Sequence, residues 1–256
     1  MDGSECLCRA AAAAFDGGDF SRAAAAAEYG LRANPDHGRL WELHGLALAE
    51  LGDRDAALRS LERSSVYIPL APIGQIVLAE CYEAADKPEL AHTILTFLAE
   101  PDRCPPVLLS RVASGLGKLG AYRDALEVCE NLANLRPTYH PAWFGIAFYR
   151  RKLGRPAAEI VSPIFTAHQL APEAMTYRLN LAAVCGDLGW DRPAYEALRG
   201  VPAEVVLCPR LVSQFIGIFA RSGDRSAVAE YETWLGRMAE YRPRSCGDCS
   251  GPDSIS

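Results

Sequence analysis

The stretch Trp41 to Pro69, WELHGLALAELGDRDAALRSLERSSVYIP, reads as two short helices joined by a turn at Gly52-Asp53. Its landmarks return along the chain at a fixed step. Pro35 and Pro69 stand 34 residues apart, and Pro137 follows Pro69 by 68. Ala23, Ala57, Ala91 and Ala125 form a ladder with the same step, and Trp41 and Trp143 are 102 residues apart. A shared period of this size means stacked helical hairpins.

The repeat settles the meaning of the length. A chain of 256 residues is long enough for one large domain or two ordinary ones, but a repeat array grows by adding units rather than by enlarging one core. Half of the residues are hydrophobic. Alanine is prominent among them, which suits helices that approach closely. The net charge of −6 argues against nucleic acid as a partner, because phosphate binding needs a basic face. The start, MDGSECLCRAAAAAF, has an acidic Asp2 and no basic n-region, so it does not read as a signal peptide. No apolar run spans a bilayer without charges, and a cytoplasmic protein with no membrane partner is expected. Nine cysteines are present; Cys81, Cys129 and Cys185 read as small buried apolar residues in a reducing compartment.

Seven units follow one another, near residues 5–35, 38–69, 72–103, 106–137, 140–172, 173–202 and 204–241, so that residues 1–241 form one repeat domain. In the first, Gly17-Gly18-Asp19 makes the turn: glycine ends one helix in the left-handed conformation, and Asp19 or Ser21 caps the next. Asn34-Pro35 stops that second helix. In the third unit Asp86-Lys87-Pro88 replaces the glycine turn, and Pro88 suits the first helical turn after it. The fifth unit departs from the pattern. Glu159 stands where the ladder calls for alanine, Pro163 predicts a kink or early break, and Pro172 comes 35 residues after Pro137, a slip of one. The seventh unit keeps the Ser222-Gly223-Asp224 turn. Residues 242–256, rich in Gly, Ser and Asp, are expected to be a disordered tail.

The second unit resembles the tetratricopeptide repeat family, whose pattern is W-x2-L-G-x2-Y…A-x3-F…P. Trp41, Gly45, Ala57 and Pro69 fill four of its slots; Leu48 and Leu61 stand in for the aromatics, and His44 takes a leucine slot. Bulk at Gly45 or Ala57 would force the paired helices apart. The resemblance runs from Glu5 to Tyr241 and implies an all-α fold, an α-solenoid (right-handed superhelix) of about seven helical hairpins. It also implies use as a non-catalytic protein-interaction scaffold or adaptor, with a partner segment in a concave groove lined by the first helices. Carried over by register, the groove comprises Glu42, Leu46, Glu50, Ile76, Glu80 and Glu83, then Ser110, Ser114, Phe144, Phe148, Arg151 and Lys152. Acidic groups lie before Ala84, while Arg150, Arg151 and Lys152 sit together further on. Charged residues on one helix face are either solvated or used in binding. Phe144 and Phe148, four apart, either anchor a ligand side chain or pack on the neighbouring unit.

Other chemistry finds little support. The Lys, Asn and Arg clamp by which some family members grip a terminal carboxylate is missing from units one to three, as is the asparagine ladder of sugar-transferring enzymes. Cys246-Gly-Asp-Cys249 and Cys6-Leu-Cys8 fall near opposite ends, without a second pair or a His pair to complete a zinc site. His37, His44, His92, His140 and His168 are spread over different units, and no phosphate-cradling or nucleophile-elbow motif occurs. No catalytic residue, cofactor or metal is therefore expected. The alternative to a free-standing scaffold is a regulatory or assembly subunit, co-chaperone-like, of a larger enzyme or secretion complex, and self-association through an uncapped end stays open.

Overall fold

A computed structural model of the chain describes residues 3–240. The expected tail at 242–256, with Cys246 and Cys249, lies outside the described residues. Among those described there are fourteen α-helices, one 3-10 turn and no strand. The helices pair in sequence. They are α1 (Gly3–Asp16) with α2 (Phe20–Ala33), α3 (Gly38–Glu50) with α4 (Arg54–Tyr67), and α5 (Pro72–Ala84) with α6 (Pro88–Ala99). Then follow α7 (Leu109–Lys118) with α8 (Tyr122–Leu135), α9 (His140–Lys152) with α10 (Ala157–Leu170), α11 (Met175–Asp187) with the short α12 (Asp191–Leu198), and α13 (Pro209–Arg221) with α14 (Arg225–Glu240). The chain divides into two compact units, Met1–Cys129 and Glu130–Ser256, the division falling inside α8.

One device makes three of the seven hairpin turns. Gly18, Gly52 and Gly223 take φ of 77°, 86° and 80°, a left-handed conformation that only glycine adopts without strain. The next residue is Asp19, Asp53 or Asp224, whose carboxylate accepts a hydrogen bond from the backbone N–H three residues on. Each aspartate thus satisfies one of the donors that a helix start leaves without an intrahelical partner. In the third hairpin Asp86 itself takes the left-handed conformation, at φ 57°.

Past each of the first four turns, the fourth residue of the second helix is a ladder alanine. Ala23, Ala57, Ala91 and Ala125 are all 0% exposed. The fit is close in the second hairpin: a Cβ added at Gly45 would lie 2.7 Å from Leu61 Cγ. Trp41 and Trp143 repeat a contact as well as a position. Their indole Nε1 groups donate to the Pro35 and Pro137 carbonyls at 2.7 and 2.8 Å, tying each first helix to the proline that precedes it.

The fifth hairpin corrects two expectations. Glu159 does not take the ladder site. It is exposed, and the buried residue at the fourth position of α10 is Ile160. The turn at Gly154 is still in step with Gly120, but two residues, Arg155 and Pro156, separate it from the helix where the first two hairpins have one. The slip is therefore one extra residue in the turn. Nor does Pro163 end the helix: α10 runs unbroken from Ala157 to Leu170 with Pro163 inside it and buried. Proline has no N–H, so the carbonyl four residues earlier, that of Glu159, loses its helical donor. Arg150 supplies the replacement, its Nη1 lying 2.9 Å from that oxygen while Nη2 reaches Glu130 Oε1 at 2.8 Å.

Within the first unit Leu46, Ala57, Leu61, Leu70, Val77, Leu78 and Cys81 form one apolar cluster. In the second a larger one runs from Ala147 and Ile160 through Leu179, Leu181 and Phe215 to Tyr231. Burying a side chain such as Leu61 is worth about 1.5–3 kcal/mol, so these clusters hold the hairpins in register. Burial pushes the Cys81 thiol up to about 11 and raises that of Cys185, which leaves both as unreactive core residues.

Candidate functional site

In the first unit the acidic residues expected to share a groove occupy three different settings. Glu42 is 1% exposed. Its Oε1 accepts the Ala71 N–H at 2.8 Å, at the start of α5, and its other oxygen takes a hydrogen bond from Arg39. The carboxylate also lies over Gly74, where an added Cβ would meet Oε1 at 2.5 Å. Glu42 joins α3 to α5; it is not an exposed groove residue, because a buried carboxylate is stable only with such partners. Leu46 and Ile76 are buried apolar residues and line no open surface either. Glu80 is held by a forked pair of bonds from Arg111 Nε and Nη2, at 2.7 and 2.6 Å. Only Glu50 and Glu83 are exposed among the four glutamates. A small hollow lined by Ala79, Glu80, Glu83, Leu95, Gly115 and Lys118 lies beside the Glu80–Arg111 pair.

The second unit brings more together. His140, Phe144, Phe148 and Lys152 follow at four-residue steps along α9 and so share a face. The Phe144 and Phe148 ring centroids are 6.5 Å apart, and Lys152 Nζ lies 5.8 Å from the centroid of Phe148, within cation–π range. Neither phenylalanine is bare; both are half-buried. Phe144 packs against Tyr177 of α11 at 5.0 Å between centroids, and the Tyr177 hydroxyl shares a 2.8 Å hydrogen bond with His140 Nδ1. Phe148 packs edge-on against Tyr149. Arg151 Nη1 donates to Asn180 Oδ1 at 2.9 Å. Burial lowers the pKa of the Arg151 guanidinium and the Asp187 carboxylate opposes that shift. Gln214 Nε2 in turn donates to Asp187 Oδ1 at 2.8 Å.

The three consecutive basic residues therefore have three duties. Arg150 serves the backbone of α10, Arg151 ties α9 to α11, and Lys152 stands over an aromatic ring. Tyr177, Asn180 and Arg111 were not legible as partners of these residues. The position in register with Phe144 after the slip is Leu179, so the repeat gives no signal for Tyr177. Among the described residues no group of three or more His, Cys, Asp or Glu side chains is placed to hold a metal ion, and no helix is long and apolar enough to cross a membrane.

No family model matches the sequence, and no curated protein matches it. Solved structures do match its fold. The C-terminal part of a TPR (tetratricopeptide) repeat-containing protein from Cytophaga hutchinsonii is similar over 97% of this chain and 98% of its own, with a TM-score of 0.69 and 11% identity. PilW, a widely conserved type IV pilus biogenesis factor, is similar over 79% of this chain and 94% of its own, with a TM-score of 0.63 and 17% identity. YrrB, a TPR protein with an unusual peptide-binding site, is similar over 65% of this chain and 86% of its own, at 0.56 and 14%. At such identities the likeness carries architecture and not activity: this chain has the all-α fold of the tetratricopeptide repeat proteins.

Proposed function

We propose that the chain is a non-catalytic interaction module that takes a segment of a partner protein on the α9 face, with Phe148 and Lys152 at the centre of the contact. The observation that carries this reading is the file of Phe144, Phe148 and Lys152, partly open and braced from α11 by Tyr177 and Asn180. Aromatic rings already held in place lose little freedom on binding, which makes them good anchors. Phe144 and Arg151 stiffen the site from its inner side. In the first unit Glu50 and Glu83 are the exposed glutamates of the expected groove. No cofactor, metal, nucleic acid or membrane enters the reading. The protein works in the cytoplasm, where the buried thiols stay reduced.

A second reading makes the chain an assembly subunit of a larger complex, and the structural likeness to the pilus biogenesis factor PilW favours it. One experiment addresses both. The tagged chain and its Phe148→Ala and Lys152→Glu variants are used to capture partners, which are identified and quantified by mass spectrometry, with helix content followed by circular dichroism. The expected result is a partner set reduced about tenfold in both variants at unchanged helicity, since a central anchor is worth at least about 1.4 kcal/mol. Subunits of one complex among the lost partners favour the second reading. Equal capture by all three proteins overturns the site.

A further inference from the structure

Helix α12 ends early. The second helices α2, α4, α8 and α10 have 14 residues each, and α12 has 8. At Gly200 the chain turns left-handed, with φ 72°, and Pro202 leads into the 3-10 turn Ala203–Val205. This course is held by its neighbours. Arg178 of α11 donates to the Ala197 and Arg199 carbonyls at 3.0 and 2.6 Å, and the Tyr231 hydroxyl of α14 donates to the Val201 carbonyl at 3.0 Å. Between this segment and the first turns of α14 lies a notch of about 320 Å³, at the lower end of the size range of small-ligand sites.

Its apolar lining comes from Leu198, Val201, Pro202, Phe219 and Ala227, and its charges are Asp224 and Glu230. Both carboxylates are already positioned by uncharged donors. Asp224 accepts from the Ala227 N–H at 3.0 Å and from the Tyr195 hydroxyl at 3.2 Å, and Glu230 accepts from the Ala203 N–H at 3.0 Å. The bond to Asp224 raises the pKa of the Tyr195 hydroxyl, the effect of an ionised acceptor. A carboxylate has about four lone-pair sites, so each retains capacity for a further donor. Among the described residues no Lys, Arg or His lines the notch. Two fixed negative charges beside an apolar wall complement cations carried on an aliphatic stem.

The spacing decides between one cation and two. Asp224 caps α14 and Glu230 lies six residues on, about 9 Å along the helix axis. A single ammonium, with charged hydrogen bonds of about 2.8 Å, does not bridge that distance. A chain of four to six carbons holds two terminal ammonium groups about 6–9 Å apart, by ordinary bond lengths and angles.

We propose that the notch binds a linear aliphatic diamine, one ammonium on Asp224 and the other on Glu230, with the methylene chain against Val201 and Pro202. This site is separate from the α9 face and does not depend on it.

The test titrates diaminobutane, diaminohexane and, as the single-charge comparison, butylamine into the isotope-labelled full chain, followed by amide NMR shifts. The expected dissociation constant of the diamines is on the order of a millimolar or tighter, with shifts centred on Gly200, Ser226 and Ala227. Butylamine binds about tenfold more weakly, because it loses one charged contact. Glu230→Gln and Asp224→Asn remove a charge but keep an acceptor for the Ala203 and Ala227 N–H groups, and each brings diamine binding down to the level of butylamine. Ser226→Lys, at an exposed position of the lining, puts an ammonium of the protein's own in the notch and abolishes diamine binding at unchanged helicity by circular dichroism. Equal binding of diamine and monoamine, binding unchanged in the three variants, no shift at millimolar diamine, or shifts scattered over other surface carboxylates overturns the inference.

Discussion

Replacing Arg150 by methionine keeps the aliphatic stem and removes the guanidinium. Two contacts go with it: the 2.9 Å bond to the Glu159 carbonyl and the 2.8 Å pair with Glu130. A hydrogen bond from a charged donor is worth about 1.5–3 kcal/mol, and the exposure of Glu159, which lets water take over part of that role, puts this one near the lower end. Glu130 is 43% exposed and Arg150 29%, so their pair adds about 0.5 kcal/mol. The expected loss is about 2 kcal/mol. The background in which it is measured decides whether the cause is right. In Pro163→Ala the new backbone N–H donates to the Glu159 carbonyl in the ordinary helical way, and the Arg150 substitution then removes only the Glu130 pair. The two changes are expected to couple by about 1.5 kcal/mol. Repeat arrays unfold in parts, so the readout is amide hydrogen exchange across α10, where that coupling appears as roughly a tenfold difference in opening. Urea unfolding followed by far-UV circular dichroism is the complement. An Arg150→Met cost that is the same in the native chain and in the Pro163→Ala background refutes the reasoning.

Three further outcomes are expected. Asp86→Gly should raise stability by about 0.5–1 kcal/mol, because Asp86 holds a left-handed φ of 57° that glycine adopts freely; a fall in the urea midpoint would contradict this. Among the described residues His168 has a buried Nδ1 without a hydrogen-bond partner and a pKa lowered by burial and by Arg178, while burial also lowers that of His44. Protons then bind the unfolded chain more readily, and stability is lost as pH falls from about 6.5 towards the lowered folded values. The gain from His168→Leu, measured by urea unfolding, should be larger at pH 5.5 than at 7.5, and a gain independent of pH would rule the linkage out. Trp41→Phe and Trp143→Phe remove equivalent bonds to Pro35 and Pro137. Each should cost about 1 kcal/mol, and thermal melts showing a loss at one site alone would end the equivalence.

Much of the architecture was legible because the repeat writes the same physical problem many times. A helix that must stop and reverse calls for a left-handed residue and then a cap, and Gly-Asp at 18–19, 52–53 and 223–224 states both requirements in two letters. The ladder alanines are legible for a similar reason, since in the first four hairpins a small side chain sits where the two helices close, although the fifth has Ile160 there. Glu42 was not legible: a carboxylate on a first helix looks the same in sequence whether it faces water or caps the next hairpin at Ala71. The separate contacts of the basic run 150–152 were not legible either, its members parting to the α10 backbone, to Asn180 and to the Phe148 ring. These partners lie 9 to 29 residues away or on a neighbouring turn, and no local pattern names them. Pro172 revealed the slip, but only the buried Ile160 locates it.

That slip has a consequence for what the chain tolerates. One residue added inside an α-helix turns everything beyond it by about 100° and advances it by about 1.5 Å, which would carry the whole downstream core face towards water. The extra residue between Gly154 and Ala157 rotates nothing. It lengthens a joint, and the next ladder alanine, Ala194, is again 0% exposed, 34 residues after Ile160. The reading frame of the stack is thus kept by its helices and shifted in a turn, which makes the Gly154–Pro156 corner a place where length changes while the phase of burial does not.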